Sequence, residues 1–225
     1  MSPASPIGAD LSHIDTWLFD LDNTLYTLDS GLGLEIDKRI TDYVVRVTGL
    51  PRLEAYALQK QYLGAHGLTL RGLMLNYGVD PDDFHAQFHD LSLETLAEDV
   101  ALTSALRRLP GRRLVFTNAD DVHARRVLQQ LGLGDLFDEV FHIGSTDLIP
   151  KPDPVAFQKI IAAHAIDPAT TAFFEDRQVN LEPAAALGMT TVLVGPDAEA
   201  SDAPFVHYRA PNLASFLGAA RLMES

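Results

Sequence analysis

The sequence predicts an α/β fold: a parallel sheet covered by helices on both faces, with a small, purely helical module inserted near its start. Three observations predict it. Residues 101–225 alternate short, nearly continuous apolar runs with amphipathic stretches of helical period, as expected of strands buried on both faces and joined by crossover helices. Residues 28–100 carry helical periodicity without strand-like alternation. Four short segments end in polar groups: Asp20 with Asp22, Thr117 with Asn118, Lys151, and Glu175 with Asp176. Ligands of open α/β sheets bind beyond the C-terminal ends of the strands, where these groups should lie.

The first strand is the apolar run Trp17-Leu18-Phe19, which leads into Asp20-Leu21-Asp22. Residues i and i+2 of a strand share a face, so Asp20 and Asp22 are expected to converge while Leu21 points into the packing. Two converging carboxylates repel unless a cation or a shared proton offsets them. That suggests a metal-dependent acid/base site; on this segment alone, a plain acidic turn remains the alternative. In the insertion, Ile36, Ile40 and Val44 mark a helix closed by Gly49. Pro51 opens a second helix to about residue 63, residues 70–77 form a third closed by Gly78, and Asp80-Pro81 opens a fourth carrying Phe84 and Phe88.

In the remainder, 114–116 reads as a strand. Ala124, Val127, Leu128 and Leu131 then recur at helical spacing, predicting a helix over 121–131 with Asp120 and Gly132 as caps. A short strand at 140–143 follows. Asp153 with Pro154 is an N-cap and a first-turn proline opening a helix to about 164. Residues 172–174 form the next strand, 180–187 a short helix stopped by Gly188, and 191–194 a further strand ended by Gly195-Pro196.

Composition narrows the function. The 31 acidic against 17 basic residues give a net charge of −14, which argues against polymeric nucleic acid and against an anionic membrane surface as partners. A small phosphorylated substrate is not excluded, because one lysine and a metal ion reverse the field locally. There is no cysteine, which removes disulfides, thiolate nucleophiles and Cys-ligated zinc. His85 and His89 stand at i, i+4 and read as a helix surface. No apolar run approaches the roughly 20 residues that span a bilayer, and a cytoplasmic protein is the expectation.

In order and content, Asp20-x-Asp22-x-Thr24, Thr117-Asn118, Lys151 and Glu175-Asp176 resemble the four motifs of the haloacid dehalogenase superfamily. The resemblance spans residues 16 to about 195. It implies a Rossmann-like core from 1–27 and 101–225, and it makes 28–100 a helical cap domain over the site. It further implies a phosphomonoester hydrolase in which Asp20 is the nucleophile, forming an aspartyl-phosphate that divides one difficult step into two. Asp22 would be the general acid for the leaving oxygen and then the base that activates water. The implied cofactor is Mg2+, held by the Asp20 carboxylate, the Asp22 backbone carbonyl and Asp176, an all-oxygen set suited to that ion. Glu175 would assist directly or through a metal-bound water. The Thr117 hydroxyl and the Asn118 backbone N–H would bind phosphate, and Lys151 would neutralise the phosphate or Asp20. Asn180 either steadies the metal site or caps its helix. The resemblance also implies that phosphatases and phosphomutases carry the second aspartate and true dehalogenases lack it, so Asp22 favours phosphoryl transfer.

Asn23, where many relatives have glycine, and residues 62–74 followed by Gly78-Val79-Asp80 resemble the pyrimidine 5′-nucleotidase branch. That second resemblance implies a nucleoside monophosphate substrate, with Asn23 and Arg71 as candidate substrate contacts. Arg71 reads equally well as a surface helix arginine, and His66 as a packing or capping residue. A sugar-phosphate phosphatase or phosphoglucomutase-like enzyme would share every core motif. A non-catalytic interaction protein on the same fold would lack the nucleophile or the acid, and this chain has both.

Overall fold

The computed structural model describes residues 8–223. Six strands form one sheet: β1 (Thr16–Phe19), β2 (Arg112–Phe116), β3 (Glu139–Phe141), β4 (Thr171–Glu175), β5 (Thr190–Val194) and β6 (Tyr208–Ala210), in the order β3-β2-β1-β4-β5-β6. Every pairing is parallel, with Phe19 in register with Val115 on one side and Phe174 on the other. The order reverses direction around β1. The chain leaves it toward β2 and β3, then crosses back to β4, and this switch point is where α/β sheets open a crevice for ligands.

Strand residues alternate between two apolar layers, which is why the strands read as unbroken hydrophobic runs. Trp17, Phe19, Val115 and Phe174 pack against α5 (Val100–Arg107), α6 (Asp121–Gln130) and α9 (Leu213–Ala219). Leu18, Leu114, Phe116 and Phe173 pack against α7 (Pro154–His164) and α8 (Gln178–Ala186). The ring of Phe19 stacks on that of Phe174 at 4.6 Å, and the Trp17 indole N–H donates to the Pro110 carbonyl at 2.6 Å, so this wide polar side chain is buried with its donor satisfied.

Between β1 and α5 lies the insertion, built of α1 (Leu32–Thr48), α2 (Arg52–His66), α3 (Thr69–Tyr77) and α4 (Pro81–His85), with no strand among its described residues. Gly49, Gly67 and Gly78 end the first three helices in the left-handed conformation, as C-terminal glycines do. Gly67 also has no room for a side chain: a Cβ there would sit 2.8 Å from the Lys151 carbonyl oxygen. The insertion therefore touches the core at the loop that carries Lys151. Two side chains of α6 fasten its far end, Arg126 donating to the carbonyls of Phe88 and Leu91, and Gln130 to that of Leu96.

Several elements differ from the sequence reading. The sequence reading does not single out β6, α9 or α5, although α5 buries Leu102, Ala105 and Leu106 at helical spacing. The strand expected over 140–143 ends at Phe141, since His142 caps a 3-10 turn by accepting the Gly144 N–H at 3.2 Å. The helix expected over 180–187 begins two residues earlier, with Arg177 in the N-cap position. Asn180 lies inside its first turn and is not the cap. No helix among the described residues is long and apolar enough to cross a membrane.

Candidate active site

Asp20 follows the last residue of β1, and its N–H donates to the Phe174 carbonyl of β4 at 2.9 Å. The strand thus delivers the carboxylate to the switch point, where it is 7% exposed. Asp22 arrives differently from the expectation. It belongs to a turn in which the N–H groups of Thr24 and Leu25 donate to the Leu21 carbonyl. The pleat ends before it, and the i, i+2 strand geometry does not hold. Leu21 is fully buried as expected. Asn23 sits in the turn with φ 63°, a left-handed conformation that asparagine tolerates better than most residues. Asparagine is therefore accommodated at this turn without a glycine.

Lys151 is the centre of the site. It is 1% exposed, and its Nζ lies 2.7 Å from Asp20 Oδ1, 2.8 Å from Glu175 Oε2 and 2.6 Å from the Phe116 carbonyl. All three ammonium donors are used. The Phe116 and Phe173 rings lie 5.0 and 5.2 Å from Nζ. The Asn118 side chain holds the lysine's backbone at two points, Nδ2 donating to the Lys151 carbonyl at 3.1 Å and Oδ1 accepting the Lys151 N–H at 2.9 Å. This amide clamp was not legible in the sequence, which pointed only to the Asn118 backbone. Thr117 is buried at the end of β2 with its Oγ1 accepting the Ala119 N–H at 3.0 Å, leaving the hydroxyl proton to donate elsewhere.

Asp20, Glu175 and Asp176 each offer an oxygen within 4.8 Å of the others, the one such group among the described residues. Burial and the neighbouring Glu175 charge push Asp20 up to about 7, against the pull of Lys151. Burial, with Asp20 and Glu175 beside it, pushes Asp176 up to about 9. Burial would raise Glu175 too, but the Lys151 ammonium and donors from Asp176 and the Arg177 N–H hold it below the usual range. Three carboxylates against one ammonium leave two negative charges, and without a cation a proton on Asp176 relieves one of them. The donor set fits a hard divalent cation such as Mg2+, which takes oxygen ligands about 2.0–2.1 Å away. A buried Asn180 Oδ1 without a partner adds an oxygen acceptor four residues beyond Asp176.

Asp22 stands outside that group. Its Oδ1 accepts from the Tyr26 hydroxyl at 2.7 Å and from His123 Nε2 at 3.1 Å. Burial would raise Asp22, but His123 and Tyr26 hold it below the usual carboxylate range; burial would lower His123, but Asp22 raises it. The sequence reading passed over both partners. A signal existed for His123, which lies four residues before buried Val127 and so shares the inward face of α6.

Two cavities flank the site. One of about 180 Å3 lies between the insertion and the core, lined by Asp22 and His123 below and by Ile36, Ile40, Phe84 and Phe88 above. A cleft of about 510 Å3 reaches Asn23 and Asp176 between the loop after β1 and the ends of β5 and β6. Arg71 is half-buried on α3, outside the lining of both, so the structure does not bring it to the site. His85 and His89 are not a plain helix surface: α4 stops at His85, which lines the smaller cavity, and His89 Nε2 reaches Asp120 Oδ1 at 3.3 Å.

A doubly covered parallel sheet with a buried lysine and three carboxylates at its switch point, topped by a helical insertion, defines a class of hydrolase. The family model for haloacid dehalogenase-like hydrolases matches residues 14–188, and the chain belongs to that family. It is 28% identical over 193 residues to Phosphate metabolism protein 8 of Saccharomyces cerevisiae, covering 79% of this chain. The matched stretch spans 60% of the length of that relative. It is also 28% identical over 210 residues to Phosphatase MT3486 of Mycobacterium tuberculosis, covering 84% of this chain and 91% of that one. The crystal structure of a HAD phosphatase from Thermococcus onnurineus shares the fold, with a TM-score of 0.61, 20% identity, and coverage of 92% of this chain and 100% of the other.

Proposed function

We propose that this chain is a Mg2+-dependent phosphomonoester hydrolase working through an aspartyl-phosphate on Asp20, with pyrimidine nucleoside monophosphates as preferred substrates. The observation that carries the reading is the Asp20 carboxylate held 2.7 Å from a fully buried lysine, inside a group of three carboxylates at the sheet's switch point. The names of the yeast and mycobacterial relatives, with Asp22 in place, favour phosphoryl transfer over carbon–halogen cleavage.

In this reading an Asp20 oxygen attacks phosphorus while Asp22 gives its proton to the leaving oxygen. Asp22 then takes a proton from the water that cleaves the aspartyl-phosphate. Lys151 compensates charge on the phosphoryl oxygens, and the Thr117 hydroxyl and the Asn118 N–H donate to them. Mg2+, held by Asp20, Asp176 and the Asp22 backbone carbonyl, with Glu175 assisting, would neutralise the phosphate and align it with Asp20. Asn180 Oδ1 fits a supporting role there.

Residues 28–100 act as the cap. The general acid must face the leaving group, and Asp22 lines the smaller cavity, so that cavity receives it. At about 180 Å3 it lies below the roughly 300–1,000 Å3 of drug-sized sites, which favours a one-ring over a two-ring base. The resemblance at Asn23 and 62–74 points the same way.

The test is kcat/KM for UMP, AMP and a hexose phosphate with Mg2+. UMP is expected to exceed AMP by about tenfold to a hundredfold, the range a volume-limited pocket supplies. Equal values, or a clear win for the hexose phosphate, would discard the pyrimidine assignment. Absence of phosphate release from every monoester would discard the phosphatase.

A further inference from the structure

We propose that His123 is a positioning residue for the general acid: together with Tyr26 it occupies Asp22 Oδ1, so that the proton given to the leaving oxygen is carried by Oδ2. The proposal rests on the reading of Asp22 as that acid.

Both hydrogen bonds to the Asp22 side chain converge on one oxygen. Tyr26 donates at 2.7 Å and His123 Nε2 lies at 3.1 Å, and among the described residues none reaches Oδ2. An oxygen that already accepts twice has no lone pair left for a proton. A proton on Asp22 is therefore carried at Oδ2; Tyr26 and His123 favour the carboxylate, and it is the negative charge of a bound phosphate that favours the protonated form. The Asp22 side chain remains 31% exposed while that of His123 is 4% exposed, and both line the cavity assigned to the leaving group. The hydrogen bond to a carboxylate oxygen requires the hydrogen on Nε2, leaving Nδ1, which is buried without a partner.

His123 is itself fixed. It is the third residue of α6, and its N–H donates to the N-cap carboxylate of Asp120 at 3.0 Å. That helix begins directly after Thr117-Asn118-Ala119, so the phosphate donors and the orientation of the acid are set by one rigid junction.

The chemistry balances. As the Asp20 oxygen bonds to phosphorus, the bond from phosphorus to the leaving oxygen breaks, and the Oδ2 proton moves to that oxygen. Asp22 is left as a carboxylate still held at Oδ1. In the second step Oδ2 takes a proton from water, the water oxygen bonds to phosphorus, and the Asp20–phosphorus bond breaks.

Leaving-group dependence tests this, read as kcat/KM, which reports only the steps through formation of the aspartyl-phosphate. An alkyl ester such as glycerol 2-phosphate needs its leaving oxygen protonated, whereas p-nitrophenyl phosphate releases a stable phenolate. His123→Ala is expected to lower kcat/KM for the alkyl ester on the order of 10²-fold, the lower end of general-acid effects. The loss for the aryl ester should be at least about tenfold smaller. His123→Gln, whose amide nitrogen reaches the place of Nε2, should recover much of the alkyl activity lost in the alanine variant; His123→Phe, which keeps a ring but has no donor there, carries the test if the alanine variant fails to fold. Equal losses on both esters, or none, would overturn the role of His123. Asp22→Asn run beside it separates the two readings: if it too fails to distinguish the esters, the assignment of Asp22 fails, and if it distinguishes them while His123→Ala does not, only the inference fails.

Discussion

Lys151→Met deletes one charge while keeping a side chain long enough to fill the space beside the Phe116 and Phe173 rings. Three hydrogen bonds of 2.6–2.8 Å disappear with it, two of them to carboxylates of buried residues. Removing one partner of a buried ion pair costs about 3–5 kcal/mol. Asp20 and Asp176 are already held high and can take up protons, which relieves part of the strain, so the lower end, about 3 kcal/mol, applies. In a chain of 225 residues each kcal/mol moves Tm by about 2–4 °C, which gives a loss of about 6–12 °C in EDTA. The cation should respond in the opposite sense. Without the ammonium, the site offers Mg2+ one more negative charge once the cation displaces the protons from Asp20 and Asp176, so Mg2+ should bind more tightly. Turnover should nevertheless fall on the order of 10²–10³-fold, the usual loss on removing one charge-stabilising donor. Circular dichroism melts in EDTA and in Mg2+, a calorimetric Mg2+ titration and kcat on one monoester measure all three. A variant that melts within about 2 °C of the parent in EDTA, or that binds Mg2+ more weakly, would refute the charge-balance argument.

Three further outcomes are expected. Asp20→Asn should abolish turnover, because an amide supplies no attacking anion, yet it should fold normally, since burial already makes the neutral acid nearly as favourable at this position; parental turnover or a large drop in Tm would contradict this. Asp176→Ala should raise the Mg2+ needed for half-maximal activity severalfold, and a superimposable Mg2+ titration would remove Asp176 from the ligand set. Burial beside Asp20 and Glu175 pushes Asp176 up to about 9 from an ordinary 3.8, so the folded state keeps a proton the unfolded chain loses, and stability in EDTA should fall as pH rises between those values. Mg2+ displaces that proton, so its stabilisation measured by melting should grow from pH 6 to pH 8.5, and a pH-independent gain would refute the assignment.

The chain's architecture was legible wherever burial imposes a period. The strands of the central sheet announced themselves because both their faces are covered, and α7 because Asp153 and Pro154 start it. β6 and α9 are short and carry no proline start of the kind that marks α4 and α7. In the site, residues at strand ends were readable from their place in the motifs. Their partners were not. The grip of Asn118 on Lys151 and that of His123 and Tyr26 on Asp22 join segments 33, 101 and 4 residues apart, and only the last of these is a local spacing. Arg71, which the sequence read equally well as a substrate contact or a surface helix arginine, lies outside the lining of both cavities.

The missing side chain at Gly67 has a consequence for how such a protein can diversify. The helices above the sheet carry the surfaces that would tell one substrate from another, and their outward positions can change freely. Position 67 cannot, because it has φ 76° and its α-carbon faces the carbonyl of Lys151. The walls of the chamber can be rebuilt around this contact, but a tilt of the insertion that brings residue 67 closer presses on the lysine's own peptide. Tilting the whole unit should therefore be felt at Lys151, whereas swapping Ile36, Ile40 or Phe84 should act through the shape of the chamber without touching that contact.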